Sequence, residues 1–160
     1  MKNFSIAINN WKDELQNIKF RYTSITTISV LAIVLFLVTQ FLAYNEQRFG
    51  FSFNDPILSL FKPIDVTWFT FIIMYGALPV TLIAISKYPK IFILAMQTYI
   101  VMITFRVFCM FMLPLNPPVD IIILEDPFIA FFSTGATFKK DLFFSGHTAT
   151  MFLMYLCLNK

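Results

Sequence analysis

The stretch YTSITTISVLAIVLFLVTQFLAYN, residues 22–45, contains no Asp, Glu, Lys or Arg. A transmembrane helix needs about 20 mostly apolar residues, so this stretch is long enough to cross a bilayer. It begins too far from the N-terminus, and its apolar part is too long, for a cleaved signal peptide. We therefore predict a membrane-spanning helix here.

Three other stretches repeat this pattern further along the chain. Residues 66–86 are uncharged, residues 91–113 are apolar except for Arg106, and residues 142–158 form a shorter uncharged run. The predicted fold class is therefore all-α, a polytopic membrane helix bundle with about four transmembrane helices. We assign residues 25–160 to a single transmembrane domain.

The composition of the 160-residue chain also favours a membrane protein, with 58% hydrophobic and only 13% charged residues. Typical globular chains are about 25% charged. The net charge is only +3 and the longest basic run is two lysines, so we expect the bilayer and not nucleic acid as a partner. Cys109 and Cys157 lie in apolar stretches, where a thiol behaves as a small hydrophobe, so we expect no metal site and no cofactor. The oligomeric state stays open.

Apolar residues before the first predicted span recur at three- and four-residue steps, with charged residues between them. This spacing is typical of an amphipathic helix. Such a helix lies either at the membrane interface or against the protein's own surface, and both interpretations stay open. We assign residues 1–24 to this segment, whose periodic apolar residues are Phe4, Ile8, Trp11, Leu15 and Ile18.

The distribution of Lys and Arg predicts the orientation of an integral membrane protein. Four basic residues precede the first span, and Lys87 and Lys90 occupy the link between the second and third spans. Residues 46–65 and 114–141 contain seven of the nine acidic residues. We therefore expect the N-terminus to be cytoplasmic and these two loops to face the extracytoplasmic side.

Arg106 is the one formal charge inside the predicted spans, and it lies nearer the outer end of its helix. A charge inside a membrane helix costs several kcal/mol unless a partner compensates it, so Arg106 is a candidate functional residue. The alternative is a purely structural role, in which Arg106 extends to the interface or pairs with Asp120, Glu125 or Asp126.

The sequence KKDLFFSGHT, residues 139–148, marks the beginning of the fourth predicted span and contains the chain's single histidine. Gly146 lets the backbone approach a ligand closely, and the free amides at a helix start attract a phosphate. His147 could donate a proton near neutral pH. A lone histidine at a helix start is more often a cap or an interface residue, and that alternative also stays open.

The pattern Asp141-x-x-x-Ser145-Gly146-His147-Thr148 at the start of a membrane helix resembles the central motif of the type 2 phosphatidic acid phosphatase superfamily. It is most similar to the sphingomyelin-synthase-like branch, which also has an arginine in the preceding span followed by Leu-Pro, here Arg106 and Leu113-Pro114. The resemblance covers roughly residues 55–160.

The resemblance implies transfer of a phosphoryl group or phospho-headgroup from a lipid through a phosphohistidine. It implies that His147 protonates the leaving group and that Asp141 orients this segment. It also implies that the substrate phosphate is bound by Arg106, Ser145, Gly146, Thr148 and Lys140, although solvated loop lysines are the alternative for Lys140.

The sequence departs from that family pattern at the nucleophile, because no histidine other than His147 is present. We therefore expect the chain to be the N-terminal part of a lipid phosphate phosphatase or headgroup transferase, inactive as it stands. The alternative is a non-catalytic lipid-binding or scaffold protein that retains a phosphate site. The motif does not specify which lipid phosphate is the substrate.

Overall fold

A computed structural model describes residues 2–52, 64–118 and 138–159, and these residues are mostly helical. This confirms the predicted helical class. Two short strands, β1 (Phe51–Ser52) and β2 (Leu115–Asn116), were not predicted. The helices in the described residues are α1 (Lys2–Gln16), α2 (Ile18–Gln47), α3 (Thr67–Ile85), α4 (Pro89–Met112) and α5 (Gly146–Leu158).

Three of these helices, α2, α3 and α4, are long and apolar enough to cross a membrane. They contain the first three predicted spans almost entirely. Helix α5 has 13 residues and is about 20 Å long at 1.5 Å per residue, whereas the hydrocarbon core of a bilayer is about 30 Å thick. The fourth span therefore stays a prediction.

The chain changes direction between α1 and α2 at Asn17, which lies within the segment assigned to residues 1–24. The side chain of Asn17 accepts a hydrogen bond from the amide of Lys19 at 3.0 Å and so caps α2. Capping by Asn satisfies one of the amides that a new helix leaves unpaired. The predicted apolar run therefore begins one turn inside a helix that already includes Lys19 and Arg21.

Helix α1 packs against the turn between α3 and α4. The indole Nε1 of Trp11 donates to the carbonyl of Ser86 at 2.7 Å, and Nδ2 of Asn10 donates to the carbonyl of Lys87 at 2.7 Å. The Trp11 ring also meets the ring of Phe92 edge-on, with centroids 5.6 Å apart. This face of α1 therefore lies against the protein itself, while contact of α1 with the membrane interface stays a prediction.

Helix α4 is central to the bundle, because it packs against α2, α3 and α5. One polar link joins α4 to α2, where Nε2 of Gln97 donates to Oγ1 of the buried Thr27 at 3.0 Å. We call the end of the bundle with α1 and the α3–α4 turn the α1 end. The opposite end, where α2 and α4 finish and α5 begins, is the site end.

The two strands join the ends of α2 and α4 at the site end as a two-residue parallel pair. The amide of Phe51 donates to the carbonyl of Pro114 at 2.9 Å, and Nδ2 of Asn116 donates to the carbonyl of Gly50 at 2.6 Å. A Cβ at position 50 would lie 2.7 Å from the carbonyl carbon of Leu115, so only glycine fits. This pair holds α2 and α4 in register beside the start of α5.

Candidate functional site

A cavity of about 440 Å³ lies between α2, α3, α4 and α5. Its walls are mostly apolar, and its charged lining residues, Arg106 and Asp141, lie at the site end. His147 and Gly146, at the start of α5, line the same end. The structure therefore brings four of the predicted site residues together in one cavity.

Arg106 forms the centre of this group. Its Nη2 lies 2.6 Å from Oδ1 of Asp141, and its Nε donates to the carbonyl of Phe144 at 3.0 Å. The Arg106 and Asp141 side chains are only 14% and 22% exposed. The ion pair is a close charge contact and not an aligned hydrogen bond, because none of the described donors points at Oδ1 of Asp141. This oxygen is buried, so the guanidinium is its charge partner inside the bundle.

Gly146 allows the guanidinium to lie against the first turn of α5. A Cβ at this position would lie 3.3 Å from Cζ of Arg106 and 3.4 Å from its Nε. The 3.3 Å separation is tighter than an ordinary contact, and the guanidinium is held by Asp141 and Phe144. The glycine therefore permits the close approach of Arg106, while the approach of a ligand to this backbone stays a prediction.

His147 lies in the first turn of α5, with its ring facing α3. The ring meets Phe71 edge-on, with centroids 5.6 Å apart and planes at 71°. Phe71 is only 2% exposed, so this contact holds the imidazole inside the bundle. Arg106 lines the same cavity, so the imidazole and the guanidinium lie at one end of it.

Ser145 and Thr148 are exposed and do not line the cavity. The Ser145 Oγ accepts a hydrogen bond from the amide of Thr148 at 3.3 Å and caps α5. This contact explains the Ser-Gly-His-Thr spacing in physical terms, because a serine N-cap bonds the amide three residues later. A phosphate contact by either hydroxyl remains a prediction.

We predict that Ser145→Ala lowers the free energy of unfolding by about 1 kcal/mol, the usual effect of removing a serine N-cap. Thermal unfolding in detergent micelles measures this, and Ser145→Asn is the matched control because asparagine also caps helices well. Equal stability of the Ala and wild-type proteins would contradict the capping role.

Lys140 lies outside the cavity, whereas the resemblance implies that it binds the substrate phosphate. Its ammonium donates to the carbonyl of Arg48, at the end of α2. Its amide and that of Lys139 both donate to Oε2 of Glu46 at 3.0 Å. The segment before Asp141 is therefore attached to α2.

Two residues at the end of α2 were missed by the sequence analysis. Glu46 accepts the two amides just described, and Nδ2 of Asn45, which is 2% exposed, donates to the carbonyl of Lys140 at 3.0 Å. These contacts place Asp141 beside Arg106. Their residue types and spacing carry no local signal, since the partners lie more than 90 positions away.

The acidic residues considered as structural partners of Arg106, namely Asp120, Glu125 and Asp126, lie outside the described residues. Within residues 2–52, 64–118 and 138–159, no group of three His, Cys, Asp or Glu side chains is arranged to hold a metal ion. Comparison with protein-family models, with curated proteins and with solved structures gave no match to the chain.

Proposed function

We propose that this chain belongs to an integral membrane protein that binds the phosphate of a lipid at the site end of the cavity. Its chemistry is lipid phosphate hydrolysis or transfer of a phospho-headgroup. The observation that carries the proposal is the placement of Arg106 and His147, together with Asp141, at one end of a mostly apolar cavity.

The phosphate would lie in the cavity, beside the Arg106 guanidinium and the first turn of α5. A guanidinium presents paired N–H donors that match phosphate oxygens, and a helix N-terminus favours an anion through its free amides and its dipole. Gly146 supports this placement, because the missing side chain lets the guanidinium lie beside the N-terminus of α5.

His147 is the proton donor in this proposal. As an acceptor oxygen, from water or a lipid hydroxyl, bonds to phosphorus and gives up its proton to solvent, the bond to the leaving oxygen breaks and the imidazolium transfers its proton to that leaving oxygen. Arg106 compensates the charge that develops on the phosphoryl oxygens. A phosphohistidine route needs a second imidazole as nucleophile, and the sequence contains only His147. These 160 residues therefore supply the acid and the phosphate clamp, without the nucleophile of that route.

The proposal includes the predicted topology. The N-terminus lies in the cytoplasm, α5 forms the fourth span, and the site end faces the extracytoplasmic side. The basic residues at the α1 end support this orientation, since Lys12, Lys19, Lys87 and Lys90 all lie there.

A second candidate function is non-catalytic lipid binding or scaffolding. It is favoured by the Arg106–Asp141 pair, because the guanidinium already has a counter-ion and the motif then has a structural role.

Lipid mass spectrometry on the purified protein in phosphatidylcholine vesicles separates these functions. Phosphatidate, lysophosphatidate and a prenyl diphosphate are offered as ligands, and both bound lipid and changed headgroups are measured. Binding with headgroup loss or exchange supports enzyme chemistry, and binding alone supports the second function. Absence of binding to all three lipids would overturn the phosphate site itself.

A further inference from the structure

We propose that the apolar part of the cavity is a slot for one acyl or prenyl tail, and that the buried side chains lining its α1 end set the preferred tail length. This proposal rests on the proposed function for the headgroup of the lipid, because Arg106 and His147 lie at the site end of the slot. The ligand class is a lipid phosphate that inserts a single tail along the bundle axis.

The depth of the slot follows from the helices that line it. On α4 the lining extends from Arg106 to Ala95, and on α5 it extends from His147 to Cys157. At 1.5 Å per residue these distances are about 16 Å and about 15 Å. The hydrocarbon core of a bilayer is about 30 Å thick, so the slot is as deep as one leaflet. A tail of ordinary membrane length therefore reaches the floor.

The polarity of the walls matches an amphiphile. Leucine, isoleucine and methionine side chains line the slot between its two ends, and the ion pair lies at only one end. A phosphate without a tail would leave the apolar walls unfilled, whereas a neutral lipid would bring no anion to Arg106 beyond its partner Asp141. A lipid phosphate satisfies both parts. The methionine side chains, Met74, Met96, Met102 and Met154, adapt to an irregular chain because the thioether is flexible.

Buried side chains line the end of the slot that lies towards the α3–α4 turn, and we call this end the floor. Ile85 is 4% exposed, Ala95 is 7% exposed and Met154 is 8% exposed. Helix α1 packs on the other side of this turn through Trp11. The small side chain at position 95 therefore leaves space that a larger residue would fill.

The first test replaces Ala95 by Phe and measures binding of lauroyl, palmitoyl and arachidoyl lysophosphatidate to the full chain in nanodiscs. We expect the affinity for the palmitoyl lipid to fall roughly ten-fold, as if about two methylenes had lost their burial, while lauroyl binding changes little. Ala43→Phe is the matched control, because Ala43 is exposed on α2 and does not line the cavity. Equal losses for all three lipids, or the same change in the control, would overturn the slot.

The second test needs no substitution, so it remains valid if Ala95→Phe does not fold. The two cysteines of the chain are a matched pair, since Cys157 lines the slot near its floor and Cys109 does not line it. We expect palmitoyl lysophosphatidate to slow N-ethylmaleimide labelling of Cys157 several-fold and to leave the labelling of Cys109 unchanged. Equal labelling of Cys157 with and without the lipid contradicts the proposal.

Failure of the slot is distinguishable from failure of the phosphate site. If Arg106→Gln abolishes binding of every lysophosphatidate while Ala95→Phe affects all tail lengths alike, the phosphate site stands and the slot is wrong. If Arg106→Gln leaves binding unchanged, the phosphate site is wrong, and the slot is overturned with it.

Discussion

The Arg106→Gln variant should lose about 3 kcal/mol of the free energy of unfolding and all measurable binding of lysophosphatidate. The stability loss follows because Asp141 would keep its charge in a mostly buried position without a counter-ion, and removing one partner of a buried pair typically costs about 3–5 kcal/mol. The binding loss follows because no other Lys or Arg lines the cavity among the described residues. Unfolding in mixed micelles and lipid binding in nanodiscs measure the two effects separately.

The double variant Arg106→Gln/Asp141→Asn separates structure from function. Removing both charges removes the unpaired carboxylate, so we expect most of the stability to return while lipid binding stays absent. Recovery of binding in the double variant would show that Arg106 acts only as the counter-ion of Asp141.

We also expect Glu46→Ala to lower both the stability and the lipid binding strongly. Its carboxylate accepts two backbone amides, and hydrogen bonds to a charged group contribute about 1.5–3 kcal/mol each when buried. Because Glu46 is only half-buried, we expect a loss of about 2 kcal/mol in the free energy of unfolding and weaker lipid binding through displacement of Asp141. Glu46→Gln should retain most of the stability and most of the lipid binding, since the amide oxygen still accepts hydrogen bonds.

Glu14→Ala is the matched control for Glu46→Ala. Glu14 pairs with the ammonium of Lys90 at 2.9 Å, and the Lys90 side chain is 74% exposed. Surface pairs of this kind contribute about 0–1 kcal/mol, so we expect little change in stability and none in lipid binding. If the two alanine variants behave alike, Glu46 does not position the site.

Much of the bundle could be predicted from the sequence because lipid-spanning helices need long uncharged runs, which are a local property. Residues 22–45, 66–86 and 91–113 each fall on one helix of sufficient length. The fourth uncharged run, residues 142–158, predicted the bounds of its helix less well. Residues 142–145 are uncharged but are not helical, since Ser145 caps α5 and the chain enters the helix only at Gly146.

Several residues of the site could be predicted from the sequence, but the contacts that join them could not. A charge inside an apolar helix marked Arg106, and the motif marked Asp141, Gly146 and His147. The pairing of Arg106 with Asp141 joins residues 35 positions apart, and Glu46 acts on amides 93 and 94 positions away. Such contacts depend on how the helices pack, which no local pattern specifies. For the same reason the sequence did not show that Lys140 points towards Arg48 and away from the cavity.

The chain's single histidine offers the most direct measurement of the central claim, that one bound phosphate contacts both the imidazole and the guanidinium. In an NMR titration with palmitoyl lysophosphatidate, every imidazole signal comes from His147. We predict that these signals shift in a saturable way in the wild-type protein and do not shift in the Arg106→Gln/Asp141→Asn variant. Saturable binding of the lipid without any shift of the His147 signals would contradict the account.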